Sequence, residues 1–143
     1  MQAEADPLML IGALSQRTSA SIETIRYYER IGLLAPPRRT QSRHRLYTRE
    51  HVKVLTFIRR ARELNYSIKD IRTLLELRNA EDRACATAQH ITLRHLDEVR
   101  GKITSLRKLE RALKAMTARC NPDIQRACPI IDILGACPQG KSA

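Results

Sequence analysis

The stretch Ser21-Ile22-Glu23-Thr24-Ile25-Arg26-Tyr27-Tyr28-Glu29-Arg30-Ile31-Gly32-Leu33-Leu34 decides how this 143-residue chain is read. Ser21 suits a helix N-cap, with Glu23 and Thr24 in the first turn, so Ser21 to Arg30 reads as a short amphipathic helix. Gly32 fits the end of that helix, and Pro36-Pro37 bars further helix. Upstream, Leu8 to Ser15 is a second amphipathic run, joined to the first by Gln16 to Ala20. Two short helices across a tight turn outline a helix-turn-helix, whose second helix is the one that enters the major groove of DNA.

Downstream, Arg38 to Tyr47 is too rich in Ser, Thr and Arg to be core and reads as a short β-hairpin or loop. Thr48 can cap a helix in which Val52, Leu55, Ile58, Ala61 and Arg62 recur at helical spacing through about Leu64. Asn65 and Tyr66 interrupt, and Ser67 starts another helix with Ile68, Ile71, Leu74 and Leu75 on one face. Asn79 to Arg83 is a charged break. From about Ala86 to Ala118 there is one Gly and no Pro, and Leu96, Val99, Ile103, Leu106, Leu109, Leu113 and Met116 follow each other by threes and fours. That is a long helix with a coiled-coil seam, about 50 Å in length, which a monomer of this size cannot cover on both sides. We therefore expect a homodimer, although packing against its own domain would also use the seam.

Charge says what the module meets. Lys and Arg number 26 against 15 Asp and Glu, a formal net +11. Arg38, Arg39, Arg43, Arg45, Arg49, Lys53, Arg59, Arg60 and Arg62 crowd a segment whose one acid is Glu50. Such a field favours polyanions. No stretch approaches the length of apolar sequence that spans a bilayer, so a membrane partner is not expected. Met1 to Pro7 is acidic and leads into no long apolar run, unlike a secretory signal, which places the chain in the cytoplasm by expectation.

On the second helix Ser21, Thr24, Arg26 and Tyr27 are candidate DNA contacts. Arg26 can address a guanine edge or a phosphate, and Tyr27 a phosphate or sugar. One of the rings Tyr27 and Tyr28 is expected to face out and the other to pack under the wing. In the hairpin Arg38, Arg39, Arg43, His44, Arg45 and Tyr47 form a basic strip around a ring that can lie along the backbone, against the plainer reading of a solvated charged loop. The chain has no nucleophile-base pair, phosphate-binding Gly loop or paired carboxylates, so no enzyme is expected. A cytosolic metal buffer would need the cysteines but not the basic wing.

Ile11-Gly12-Ala13-Leu14, the string Ile22 to Leu34 and Arg45-Leu46-Tyr47 strongly resemble the MerR family of bacterial transcription regulators, over about Leu10 to Leu134. Ser19 stands where the family often has Gly in the turn, and Ser42-Arg43 where its wing often carries Gly. The resemblance implies an all-α fold with a small β wing. A winged helix-turn-helix DNA-binding domain would span 8–80, a long antiparallel coiled-coil dimerisation helix 81–119, and a metal-binding loop with a short C-terminal helix 120–137. It further implies a homodimer on double-stranded promoter DNA. When metal binds, that dimer would distort the DNA so that RNA polymerase can use the promoter, activating metal resistance or efflux genes.

The cysteines lie in the second half: Cys85, Cys120, Cys128 and Cys137. A reducing compartment disfavours a disulfide framework and leaves metal binding, redox sensing or burial. Cys85 opens the long helix and Cys120 follows its end, so within one chain they stand about 50 Å apart. If two chains pair antiparallel, Cys85 of one arrives beside Cys120 and Cys128 of the other. Pro129 begins a short helix, so Cys128 sits where free N–H groups favour its thiolate. Cys137 reads equally as a tail thiol or an auxiliary ligand.

The same positions match the metal-sensing branch of the family, which implies Cys85, Cys120 and Cys128 as ligands. Three thiolates around a soft divalent ion such as Hg(II), Cd(II), Pb(II) or Zn(II) leave a smaller net charge than around Cu(I), which favours the divalent class. The spacing of Cys120 and Cys128, the Cys128-Pro129-Ile130-Ile131 string and Cys137 look like the copper-responsive branch, so Cu(I) held by Cys120 and Cys128 alone is the alternative. His90 and His95 are expected to be exposed residues flanking the seam rather than ligands. An iron-sulfur centre needs four cysteines crowded into one loop, and these are spread from Cys85 to Cys137.

Overall fold

A computed structural model describes residues 7–80, 84–120 and 128–136, in two units divided after Ile91. The expected element order holds: α1 Ile11–Thr18, α2 Ile22–Arg30, β1 Arg38–Arg39, β2 Arg45–Leu46, α3 Arg49–Glu63, α4 Ile68–Leu77, α5 Ala84–Ala118 and α6 Pro129–Gly135. Apart from the two short strands, the described residues are helices and their connections.

The helix boundaries follow from capping chemistry. Ser21 Oγ accepts the Thr24 N–H at 3.1 Å, and Ser67 Oγ accepts that of Asp70 at 3.1 Å. At Thr48 the roles are shared: its backbone N–H donates to His51 Nδ1 at 3.0 Å, and the other ring nitrogen of His51 lies 3.2 Å from the Ala35 carbonyl. The C-termini of α2 and α3 close in the same way. Gly32, at φ +69°, donates to the Glu29 carbonyl and Leu33 to that of Tyr28; Asn65, at φ 64°, donates to Arg62 and Tyr66 to Ala61. These are paired-bond caps that need a left-handed residue just past the helix, the conformation Gly and Asn tolerate best.

Some boundaries differ from the sequence reading: α1 runs on to Thr18 and α5 begins at Ala84. α1 begins at Ile11 rather than Leu8, because Met9 is taken into an extended bridge: Met9 N–H donates to Tyr47 O at 2.9 Å and Tyr47 N–H to Met9 O at 2.8 Å. The wing is a two-stranded antiparallel hairpin with Arg38 opposite Leu46 and Arg39 opposite Arg45. Its turn is held by Arg43 N–H to Thr40 O at 2.9 Å, with Arg43 at φ 64°. Of the departures from the family's Gly, Ser19 and Ser42-Arg43, Ser19 is left-handed at φ 54°, and so is Arg43 but not Ser42.

Two apolar clusters make the core of the first unit. Met9, Leu14, Ala20, Ile25, Leu34, Tyr47 and Leu55 pack between α1, α2, β2 and α3. Leu33, Ile58, Ala61, Tyr66, Ile71 and Ile91 pack around α3, α4 and the start of α5. Tyr28 and Val54 touch both clusters, so the helix-turn-helix and the second helix pair share one interior. Two arginines brace the helices from behind. Arg59 donates to the Thr18 carbonyl at 2.8 Å, and Arg72 to those of Ile31 and Gly32 at 2.8 and 3.1 Å, placing a cation at the negative ends of α1 and α2.

In the second unit α5 continues to Ala118, and Leu96, Ile103, Leu106, Leu109 and Leu113 are all exposed in the single chain. His90 is exposed as expected, but His95 is buried, with Nδ1 3.8 Å from Glu98 Oε2. Among the described residues no helix is long and apolar enough to cross a membrane.

Leu14 is fully buried where four elements meet, so Leu14→Ala is expected to cost about 3 kcal/mol in urea unfolding followed by circular dichroism. Ser67→Ala removes one cap and is expected to cost about 1 kcal/mol in the same measurement.

Candidate nucleic-acid interface and thiol pair

The outward face of α2 is fixed by its cap. The Ser21 and Thr24 hydroxyls lie 2.8 Å apart, so the first turn presents a linked pair of small hydrogen-bonding groups. Arg26 and Tyr27 follow on the exposed surface, and the Arg30 guanidinium carbon stands 5.8 Å from the Tyr27 ring centre. Tyr28 turns inward and packs against both core clusters, so one tyrosine of the pair faces out and the other in.

Between this helix, the start of α1 and the wing lies an open notch of about 600 Å³. Leu10 and Ile22 belong to its apolar lining, and Arg26, Arg43, His44 and Arg45 to its basic lining. Arg38, Arg39 and Arg43 are exposed. The combination of apolar floor and guanidinium rim matches a sugar-phosphate backbone in its chemistry.

Tyr47 corrects the sequence reading. It is fully buried, and its phenol donates to Glu29 Oε1 at 2.5 Å. Burial, then the bond to Glu29 and its charge, push its pKa well above the usual phenol range, so it stays a protonated donor. A ring enclosed by the core cannot lie along DNA, and Tyr47 leaves the contact set.

Arg45 is also engaged. It is half-buried, and its Nε lies 3.5 Å from Glu29 Oε2. Glu29, unassigned in the sequence reading, is therefore the junction between α2 and the wing. The signal was available: it is the one acid between Arg26 and Arg49. Counting charge overstated the rest of the strip as well. Lys53 pairs with Glu50, Arg59 with Glu63 and the Thr18 carbonyl, and Arg62 with the Tyr66 carbonyl.

The cysteines separate into two situations. Cys85 is exposed in the first turn of α5. Cys120 and Cys128 are half-buried and hydrogen-bonded to each other. Cys128 stands at the N-terminal boundary of α6 with Pro129 at the first helical position, as the sequence predicts. The Ile131 N–H, then that of Ile130, then Cys120 stabilise its thiolate and hold its pKa below the ordinary thiol value, against burial and the charge of Asp132. Burial, then the bond to Cys128 and its charge, push Cys120 up. Two neighbouring thiols, one with its pKa lowered, fit a soft, thiophilic metal ion. Among the described residues no three His, Cys, Asp or Glu side chains converge within one chain. Cys137 and most of the expected metal loop lie outside the described residues.

Comparison with known proteins gives a consistent picture. The family described as MerR HTH family regulatory protein matches residues 9–77, and the one described as MerR, DNA binding matches 52–116. A Rhizobium meliloti protein named heavy metal-dependent transcription regulator 2 is 39% identical, over 87% of this chain and 84% of its own. The lead(II) complex of the transcription regulator PbrR691 from Ralstonia metallidurans superposes with a TM-score of 0.78 at 36% identity, covering 88% of this chain and 98% of that one. The mercury(II) complex of MerR from Bacillus megaterium gives a TM-score of 0.69 at 32% identity, with the same two coverages of 88% and 98%.

Because Cys128 is held below and Cys120 above the ordinary thiol range, alkylation of the reduced protein is expected to begin at lower pH for Cys128. Iodoacetamide labelling across a pH series, read by peptide mass, checks this; a common onset for the two thiols would contradict the assigned asymmetry.

Proposed function

The chain belongs to the MerR family of transcription regulators, and on that premise we propose that it is a metal-responsive regulator acting as a homodimer on promoter DNA in the cytoplasm. The observation that carries the metal response is the Cys120–Cys128 pair, two neighbouring half-buried thiols with Cys128 at the start of α6, in a chain whose other half is built to meet DNA. It is a regulator and not an enzyme.

In this reading residues 8–80 form the DNA-binding domain. Ser21, Thr24, Arg26 and Tyr27 address the major groove and its edges, and Arg38 and Arg43 in the wing meet phosphates. Residues 81–119 pair two chains, which would cover the apolar residues of α5 that a single chain leaves exposed. Residues 120–137 form the sensor loop. Cys85 of the partner would add a third thiolate to Cys120 and Cys128, and three sulfurs suit a soft divalent ion, Hg(II), Cd(II), Pb(II) or Zn(II). The lead(II) and mercury(II) complexes of the related regulators support that class.

The chain's own part in the response is to hold two thiols on a short loop that can prefer one arrangement with metal and another without. Metal shifts the dimer toward DNA distortion only by the difference in affinity between those two states. RNA polymerase would then read the distorted promoter. A second reading, Cu(I) held by Cys120 and Cys128 alone, is favoured by the contact those two thiols already make within one chain.

Competitive titration of the reduced protein with Hg(II), Cd(II), Zn(II) and Cu(I), followed by thiolate-to-metal absorbance, separates the two. Tight divalent binding at one ion per protomer that is lost in Cys85→Ser supports the three-thiolate sensor. Preferred Cu(I) binding that survives Cys85→Ser supports the copper reading. Metal-dependent transcription that persists in Cys120→Ala rules out both.

A further inference from the structure

The carboxylate of Glu29 lies inside the surface that should be most attractive to a polyanion, in a chain of formal net charge +11. An acid there weakens DNA binding unless it does something else. Its side chain is only 13% exposed, with one oxygen bonded to the buried Tyr47 phenol and the other 3.5 Å from the Arg45 guanidinium. The Tyr47 bond alone does not require a charge, since an amide oxygen would also accept from the phenol, though more weakly. What the charge adds is a hold on Arg45, the basic residue of β2 that lines the notch between the recognition helix and the wing.

We infer that Glu29 is a specificity-determining residue, which keeps the Arg45 guanidinium at the junction of α2 and β2 and so withholds it from the DNA backbone. The inference rests on the DNA-binding reading above. A phosphate contact adds affinity for every sequence alike, whereas base contacts add it for the right one. A guanidinium held inside therefore lowers general affinity without loss to groove reading and raises the ratio between them. The same pairing sets the wing against the recognition helix, so the exposed Arg38, Arg39 and Arg43 are presented at a fixed distance from Arg26.

The test is the salt dependence of binding, which counts phosphate contacts. A random-sequence duplex and a duplex selected by the wild-type protein from a random pool are titrated with the full-length protein between 50 and 300 mM salt. Glu29→Gln keeps an acceptor for Tyr47, while it removes the charge and puts an amide NH2 in place of the oxygen that faces Arg45. It is expected to bind the random duplex several-fold tighter at low salt, to steepen the log-log salt slope by about one, and to lower the selected-to-random ratio. Arg45→Gln alone is expected to leave the slope unchanged, and in the Glu29→Gln background to return it to the wild-type value. Tyr47→Phe loses the bond but keeps the charge, and its slope is expected to stay at wild type even where thermal melting shows lost stability.

An unchanged slope in Glu29→Gln overturns the inference, as does a slope shallower by about one in Arg45→Gln, which would mean that Arg45 already holds a phosphate. Absence of any salt-dependent duplex binding by the wild type removes the DNA-binding reading itself, and the inference with it.

Discussion

The bond between the Tyr47 phenol and the Glu29 carboxylate is the contact on which the DNA-facing end depends. A phenol buried in an apolar cluster is stable there only if its hydroxyl has a partner, and a half-enclosed carboxylate only if its oxygens do. Each group answers the other's need, and Arg45 completes the carboxylate. The backbone of Tyr47 is bonded in both directions to Met9 as well. Three segments far apart in sequence, the entry to α1, the last turn of α2 and the residue that follows β2, are thereby fixed together. Without this convergence a two-residue strand pair such as β1 and β2 would have little reason to hold one position.

Much of the fold was legible because its signals are local. Ser21, Thr48 and Ser67 announce helix starts, Gly32 and Asn65 mark the ends of the helices before them, and all five behave as their chemistry predicts. What was not legible is long-range. Tyr47 reads as an exposed ring beside basic residues until Glu29, eighteen positions earlier, is seen to accept its proton. Arg59 reads as part of a basic field until it is found on the Thr18 carbonyl about forty residues away. Charge in a window measures the field of a segment but not which cations are already committed. The early start expected for α1 failed for the same reason, since Met9 is claimed by a bridge to Tyr47 that sequence periodicity cannot see.

The thiol site divides along the same line. That Cys128 would stand at a helix start follows from the Pro beside it, and the Ile131 and Ile130 N–H groups that lower its pKa belong to that first turn. The contact between Cys120 and Cys128 joins two residues eight positions apart, which composition does not specify. A third ligand would belong to another copy of the chain, and one sequence read alone carries no record of register between copies. Metal preference is a further step removed, because it rests on coordination number and net charge at the assembled site rather than on the identity of any one residue.

Arg62 and Arg72 spend their hydrogen bonds on carbonyl oxygens, which carry dipoles but no net charge. Their positive charge therefore survives at distances beyond the bond itself. Such cations contribute to the potential that draws a duplex in from solution, although they release no counterion once it has docked. Encounter and grip are thus set by different residues: the first by the whole charge of the domain, the second by the few guanidinium groups left facing outward. A chain built this way can find DNA quickly at low ionic strength and still leave it readily, which suits a protein that must search a long polymer for one short site.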